Sequence, residues 1–146
     1  MRVRASGVGS TDILMRRGSY AFAPKIPFTP GYEIVGEVEA LGAGVQTLQL
    51  GQRVAALTVH GGYGEVAVRR AQEFVPVPEG LDDADVAALI LNYATAFQMI
   101  ERVAKPQSGQ LALVTSANGG VGTALLELLR LRGVGTIGAA SPSEQT

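Results

Sequence analysis

The chain has 146 residues, of which 47% are hydrophobic and 17% charged, a balance that supports a folded core and argues against intrinsic disorder. Its formal net charge is −1, so it has no basic excess to neutralise a phosphate backbone, and we expect no nucleic acid partner. The lack of cysteine excludes disulfides and thiolate metal ligands.

The chain up to about residue 80 has the pattern of short strands separated by glycine turns. The candidate strands are residues 1–5, 31–41, 53–57 and 65–69. In the second of these, Glu33, Glu37 and Glu39 lie on the face opposite to the apolar side chains, which predicts a half-solvated strand. Short strands joined by glycine turns are typical of a small antiparallel barrel or sandwich.

After residue 80 the pattern changes to that of a helix. Asp82 is a good N-cap, and we expect the helix to run to about Lys105, with a break near Asn92, because Pro106 cannot continue it. Its apolar run, residues 86–91, is far too short to span a bilayer. The amino terminus has no apolar segment of the signal-peptide kind. We therefore expect a soluble, cytoplasmic protein without a membrane span.

The last part of the chain contains a strand, a glycine loop, a helix and a second strand in that order. Residues 111–115 form a continuous apolar run, as in a parallel strand that is buried on both faces. The helix after the loop ends at Gly133, and residues 134–140 predict a second buried strand. This order predicts one βαβ unit with a right-handed crossover.

The glycine loop has the G-x-G-x-x-G spacing of a dinucleotide-binding turn, with alanine in the first place. Its residues are Ala117, Asn118, Gly119, Gly120, Val121 and Gly122. Alanine serves there if its φ stays negative, Gly119 lets the backbone approach a pyrophosphate, and Gly122 lets the helix pack against the strand. The helix amino terminus offers free N–H groups to the phosphates. Glycines also make such turns without a ligand, but the βαβ context favours nucleotide binding.

The end of the second strand distinguishes between the two nicotinamide cofactors. Enzymes that use NAD carry an acidic residue there for the ribose 2′-hydroxyl. Here Ser141 follows Ala140, and no carboxylate occurs until Glu144. A small hydroxyl residue leaves room for a 2′-phosphate, so the sequence favours NADP(H) over NAD(H), with Ser141 as a contact. For Ser143 a plain Ser-Pro turn is an equal alternative.

Ordered motifs run through essentially all of the chain. They are G-V-G-S-T-D at 7–12, P-G-Y-E-I-V-G-E-V at 30–38, L-G-A-G-V at 41–45, L-G-Q-R-V-A at 50–55, G-G-Y-G-E at 61–65, V-P-V-P-E-G-L at 75–81, L-N-Y-A-T-A-F at 91–97 and A-N-G-G-V-G at 117–122. With them the chain resembles the medium-chain dehydrogenase/reductase superfamily, and more narrowly its zinc-free quinone oxidoreductases and VAT-1-like members.

The resemblance implies a mixed β and α/β fold. A GroES-like β-barrel, lacking its first strands, would carry the substrate site in residues 1–91, and residues 92–146 would begin a Rossmann doubly wound parallel sheet that binds the cofactor. The implied activity is NADPH-dependent, zinc-independent hydride transfer to a quinone or an activated C=C or C=O bond. The implied partners are a nicotinamide dinucleotide and a small quinone, enone or carbonyl substrate.

The resemblance also bears on single residues. Zinc-using members carry Cys and His where Gly9 and Tyr32 stand, so we expect no metal, and His60 is expected to have a structural or loop role. Thr95 matches a position that touches the cofactor near the nicotinamide, although it could equally bond back to its own helical turn. No catalytic residue is assigned, because the Asn that many zinc-free relatives have in place of Gly9 is absent, as is the Tyr that some have near Leu14.

The sequence leaves the roles of three further side chains undecided. Asp12 and Glu33 match family positions near the cleft, and both could equally be capping or salt-bridge residues. Tyr63 is expected to be an aromatic side chain packed beside the glycine turn rather than a proton donor.

The length differs from that of the family. The opening barrel strands and most of the Rossmann sheet are missing, so we expect the isolated chain to be inactive and either marginally stable, aggregation-prone or paired with another copy through open sheet edges. A sharp cooperative melt of the monomer would contradict this expectation. The alternative function is that of a truncated, non-catalytic nucleotide-binding or scaffold remnant of such a reductase.

Overall fold

The computed structural model describes residues 1–141. The chain forms two compact units, Met1–Leu91 and Asn92–Thr146, each with a hydrophobic core of its own. Within the described range, no helix has the length and apolar character that crossing a membrane requires.

The first unit is built on an antiparallel sheet of four strands. Its strands are β1 (Arg2–Ser6), β2 (Glu33–Glu37), β3 (Arg53–Leu57) and β4 (Val75–Pro76), in the order β1-β2-β3-β4. Helix α1 (Ser10–Arg16) follows β1, and a short 3₁₀ turn (Ala71–Glu73) precedes β4. The predicted strand at residues 53–57 is thus confirmed. The one predicted at 65–69 is wrong, because Val66 makes a single bridge to Arg2 instead of a ladder.

Strand β2 is buried on both faces, so the prediction of a half-solvated strand is wrong. Ile34 packs with Val54 and Ala56 on one face. On the other face, Val35 packs with a cluster formed by Ala55, Val86 and Ala87. The first turns of the next helix therefore cover the face on which Glu33 was expected to meet solvent.

Helix α2 (Asp83–Gln98) begins in the first unit and ends in the second. The side chain of Asp82 accepts hydrogen bonds from the amides of Ala84 and Asp85, which confirms it as the N-cap. The predicted break near Asn92 is wrong, because α2 is continuous. A π-helical segment (Met99–Ala104) follows directly and ends at Lys105, which has φ 45°.

The second unit contains the predicted strand–loop–helix–strand sequence. Its elements are β5 (Leu111–Thr115), α3 (Gly120–Leu131) and β6 (Gly135–Ala139), and β6 pairs parallel to β5. Leu113 lies opposite Ile137 in that pair. The core of this unit contains Ile100, Val114, Ala117, Leu129 and Val134.

The second sheet is covered on one face in the described part of the chain, so the prediction that its strands are buried on both faces is wrong. Ala112 and Val114 pack against the core, which α3 and the π-helical segment help to form. On the opposite face, Leu111, Leu113 and Ile137 remain 68%, 67% and 52% exposed. The continuous apolar run thus marks a face that no element within residues 1–141 covers.

Candidate functional site

The glycine loop joins β5 to α3 through a tight turn. Ser116 takes a positive φ of 51°, while Ala117 keeps a negative φ, as alanine in the first place of the motif requires. The Gly119 amide donates to the Ser116 carbonyl at 2.9 Å and closes the turn, and the Ala117 amide donates to the Ala139 carbonyl at 3.0 Å. The loop is therefore fixed to the ends of both strands.

The glycines of the loop have different surroundings. A Cβ on Gly122 would overlap the Ser116 carbonyl oxygen and lie 2.8 Å from the Ala117 Cα, so the helix touches the loop backbone here. A Cβ on Gly119 would lie 3.3 Å from the Ser116 oxygen, a tight contact that a shift of a few tenths of an ångström would relieve. Glycine is thus required for packing at position 122, whereas at position 119 a side chain would meet one tight contact and no overlap.

The amino terminus of α3 has the character of an anion site. Gly119 is its N-cap, with φ −83° and ψ 167°, and no side chain in the described part of the chain caps the first turn. Both the amide and the hydroxyl of Thr123 donate to the Gly119 carbonyl, which fixes the start of the helix. Uncapped first-turn amides and the positive end of the helix dipole fit the phosphates of a dinucleotide.

The predicted cofactor residues all lie in the second unit. Ala117 to Gly122 form one continuous loop, with Ala117 buried and Asn118, Gly119 and Gly120 exposed. Thr95 is half-buried within α2, and Ser141 is exposed just after β6. Ser143 and Glu144, on which part of the choice between cofactors rests, lie outside the described residues.

Sequence reasoning missed the contribution of α2 to the surroundings of the loop. The Asn92 side chain lies so close to Gly120 that a Cβ there would be 2.7 Å from its amide nitrogen. One residue further on, the Tyr93 hydroxyl donates to the Glu127 carboxylate on α3. Both residues belong to the motif at 91–97, but a pattern of residue types does not show where their side chains point.

In the first unit, Asp12 connects two of the sequence motifs. Its buried carboxylate accepts the Gly9 amide at 3.0 Å and the Gly31 amide at 2.9 Å. The first bond caps the start of α1, and the second holds the segment that leads into β2. Asp12 therefore acts as a capping residue that fixes the positions of Gly9 and Gly31.

Glu33 is also buried, and its carboxylate is bonded to α2. Its Oε2 accepts the Leu91 amide at 2.6 Å, and Gly7 lies so close that a Cβ there would overlap Oε1. Burial raises the pKa of Glu33, the bond from Leu91 opposes this rise, and the nearby Asp12 charge adds to it. The carboxylate thus connects β2 to α2 by a hydrogen bond, although burial disfavours its charged form.

We expect Glu33→Ala to lower the free energy of unfolding by about 2 kcal/mol, because it leaves the Leu91 amide without its acceptor. Glu33→Gln keeps an acceptor oxygen and removes the charge, so at pH 7 it should be at least as stable as the parent. A raised carboxyl pKa means that the parent gains stability as pH falls through that pKa. The difference in the free energy of unfolding between Glu33→Gln and the parent, measured by urea unfolding, should therefore become smaller as the pH is lowered. An equal loss in both variants at pH 7 would contradict this assignment.

Two tyrosine hydroxyls form a pair near Asp12. The Tyr20 and Tyr32 oxygens are 3.2 Å apart, and the bond to Tyr20, followed by burial, raises the pKa of Tyr32 to about 12. Tyr63 is 42% exposed, and its amide donates to the Pro30 carbonyl. The phenol of Tyr32, the residue before β2, therefore stays protonated at neutral pH.

No group of three or more His, Cys, Asp or Glu side chains among residues 1–141 is placed to hold a metal ion. His60 is exposed, and its carbonyl accepts a bond from the Arg69 guanidinium at 2.5 Å.

Comparison with known proteins identifies the family. Residues 1–79 match the alcohol dehydrogenase GroES-like domain. The chain belongs to the medium-chain dehydrogenase/reductase superfamily. Its fold is accordingly a GroES-like domain followed by the start of a Rossmann-like parallel sheet, as predicted.

The relatives of this superfamily member include quinone oxidoreductases and VAT-1 homologues. Rat quinone oxidoreductase is 37% identical over 145 residues, which are 99% of this chain and 44% of the relative. The crystal structure of the human synaptic vesicle membrane protein VAT-1 homolog-like protein matches 97% of this chain and 46% of its own, with 35% identity and a TM-score of 0.91. Quinone oxidoreductase from Thermus thermophilus, solved also in complex with NADPH, matches 99% and 45% at 36% identity and a TM-score of 0.84. The chain thus spans less than half the length of these relatives.

Proposed function

We propose that the chain is part of an oxidoreductase that uses NADP(H) to reduce a quinone or an activated C=C or C=O bond without zinc. The observation that carries the proposal is the loop at residues 117–122, where Gly119 and Gly120, which have no side chains, lead into the amino terminus of α3, for which no side-chain cap is found among residues 1–141. The similarity of the chain to quinone oxidoreductases, one of which has been solved in complex with NADPH, supports the same function.

The cofactor would be held by residues of the second unit. The loop from Ala117 to Gly122 would bind the pyrophosphate through backbone amides, Ser141 would face the 2′-phosphate, and Thr95 would contact the nicotinamide end. When bound, the nicotinamide supplies the hydride. The protein's part is to bind and orient the reactants and to keep water away from them.

We propose further that residues 1–91 form the substrate domain and residues 92–146 the cofactor domain. The division of the chain into compact units at Leu91 and Asn92 supports this boundary. The proposal that zinc is not used rests on Gly9 and Tyr32, whose side chains offer neither a thiolate nor an imidazole ligand. A cytoplasmic location and pairing through the open sheet edges stay predictions.

Titration of the chain with NADPH and NADH, followed by cofactor fluorescence, tests the proposal. We expect NADPH to bind at least about tenfold more tightly, because a 2′-phosphate near Ser141 adds charge-assisted hydrogen bonds. Ser141→Asp should reverse the preference, since a carboxylate repels the phosphate and accepts the ribose 2′-hydroxyl. The matched control, Ser19→Asp, adds the same charge at an exposed serine of the first unit and should leave the preference unchanged.

The outcomes distinguish the two functions that the sequence left open. If neither nucleotide binds, the proposal fails for this chain. If NADPH binds but no quinone is reduced, even when the remaining part of the fold is supplied as a second chain, the non-catalytic remnant is the better description.

A further inference from the structure

The turn that ends α1 places two arginines just before a serine. Arg16, Arg17, Gly18 and Ser19 follow one another, and no other serine or threonine of the chain has basic residues both two and three positions before it. All four residues are exposed. The ion pairs found within residues 1–141 involve other arginines. The turn therefore presents a hydroxyl and two guanidinium groups that no carboxylate of the described chain engages.

Ser19 has a defined place at the end of the helix. Gly18 has φ 69°, its amide donates to the Met15 carbonyl at 3.0 Å, and the Ser19 amide donates to the Leu14 carbonyl at 2.9 Å. This pattern is a Schellman motif, in which the residue after the glycine is commonly apolar and packs against the helix. Here that residue is an exposed serine, so packing does not account for its presence.

The segment around Ser19 can open without disturbing the sheet. Helix α1 ends at Arg16, and the next strand, β2, begins only at Glu33. The contacts of the segment include the two amide bonds of the turn and the bond between the hydroxyls of Tyr20 and Tyr32. An enzyme that binds residues 16–20 in an extended form therefore needs only a local opening, which costs far less than unfolding of the unit.

We propose that Ser19 is a phosphorylation site for a protein kinase that selects basic sequences, and that this kinase recognises Arg16 and Arg17 in the opened turn. Kinases distinguish their substrates by patterns of charge, and guanidinium groups form strong charge-assisted pairs with carboxylates of a kinase. The site belongs to the first unit and goes beyond the proposed function, which it does not require.

The co-substrate of this reaction is a nucleoside triphosphate. The Ser19 Oγ forms a bond to the γ-phosphorus, the bond from that phosphorus to the departing nucleoside diphosphate breaks, and the hydroxyl proton passes to the catalytic base of the kinase. The product carries about two negative charges at the carboxyl end of α1, where the helix dipole disfavours them. Pairing of the phosphate with Arg16 and Arg17 offsets this effect. The residues that select the serine thus also stabilise the product.

Incubation of the full chain with ATP and the catalytic subunit of cyclic-AMP-dependent protein kinase, followed by mass spectrometry, tests the inference. We expect one phosphate, on Ser19, and none in Ser19→Ala. Arg16→Gln and Arg17→Gln should each lower kcat/KM for phosphorylation about tenfold or more, because each removes one charge-assisted pair. Ser108 is the internal control: it is also exposed, but the only basic residue at these two positions before it is Lys105, so it should stay unmodified.

Gly18→Ala tests whether the turn must open. The positive φ of Gly18 disfavours alanine, yet nothing lies within 4 Å of the added Cβ, so the variant weakens the turn without a clash. Because the kinase acts on the opened segment, we expect kcat/KM for the full chain to rise about three- to tenfold. Synthetic peptides of residues 13–23 with Gly or Ala at position 18 have no folded turn and should differ less than about twofold.

Three results would overturn the inference. The first is phosphate on another residue that persists in Ser19→Ala. The second is a rate for the arginine variants equal to that of the parent. The third is a ratio between Gly18→Ala and the parent that is the same in the full chain and in the peptides, since the turn would then have no influence on recognition.

Discussion

Gly122→Ala is expected to disrupt the second unit and to abolish its affinity for a dinucleotide. The added Cβ would overlap the Ser116 carbonyl oxygen and lie 2.8 Å from the Ala117 Cα, and both are backbone atoms that cannot rotate away. Overpacking of this kind costs about 3 kcal/mol where the backbone must shift. We therefore expect a large drop in the thermal midpoint of this unit and no change of cofactor fluorescence with NADPH.

Gly119→Ala, three residues earlier, is the matched control for this prediction. Gly119 already has φ −83°, which suits alanine, and the new Cβ would lie 3.3 Å from its closest neighbour. The fold should survive, but the methyl group would stand where the backbone is proposed to approach the pyrophosphate. Because the new Cβ makes one tight contact with the Ser116 oxygen, we expect a loss of stability much smaller than that of Gly122→Ala, and NADPH affinity reduced about tenfold or more. A parent-like melt of Gly122→Ala would contradict the packing argument, and parent-like affinity of Gly119→Ala would contradict the phosphate argument.

The sequence was sufficient for the elements around the glycine loop, because their signals are local. An apolar run, a glycine cluster and a helical repeat predict β5, the turn and α3 from neighbouring residues alone. The Asp82 cap is equally local, since its bonds reach only the next turn. What the pattern does not contain is the strained residue of the turn, which is Ser116 rather than a glycine.

The burial of β2 was missed because it depends on distant residues. Alternating glutamates predict a solvated face, yet Glu33 is covered through a bond to Leu91, far along the chain. The hydroxyl pair of Tyr20 and Tyr32 likewise joins positions that no period relates. The error for β5 has the opposite cause: an apolar run shows that a strand suits burial on both faces, but not which element covers Leu111 and Leu113.

The segment that leads into β2 makes several of the contacts that hold the first unit together. Gly31 donates to the Asp12 carboxylate, and its carbonyl accepts the Thr58 hydroxyl and the Gly62 amide. The next two residues are Tyr32, of the hydroxyl pair, and Glu33, which holds α2. A change at Gly31 should therefore affect the packing of the sheet and the position of the phenols together.

Gly31→Ala is accordingly expected to prevent stable folding of the first unit. Its φ of 105° is unfavourable for any L side chain, and the new Cβ would overlap the Tyr63 amide nitrogen and lie 2.6 Å from the Gly62 carbonyl carbon. Together the strain and the overlap should cost about 4 kcal/mol or more. Gly44→Ala separates the two causes: Gly44 has φ 78° with nothing within 4 Å of the added Cβ, so it should cost only about 1 kcal/mol. Urea unfolding followed by circular dichroism measures both variants. Equal losses would mean that backbone strain alone, and not the contact between the two turns, makes glycine necessary at position 31.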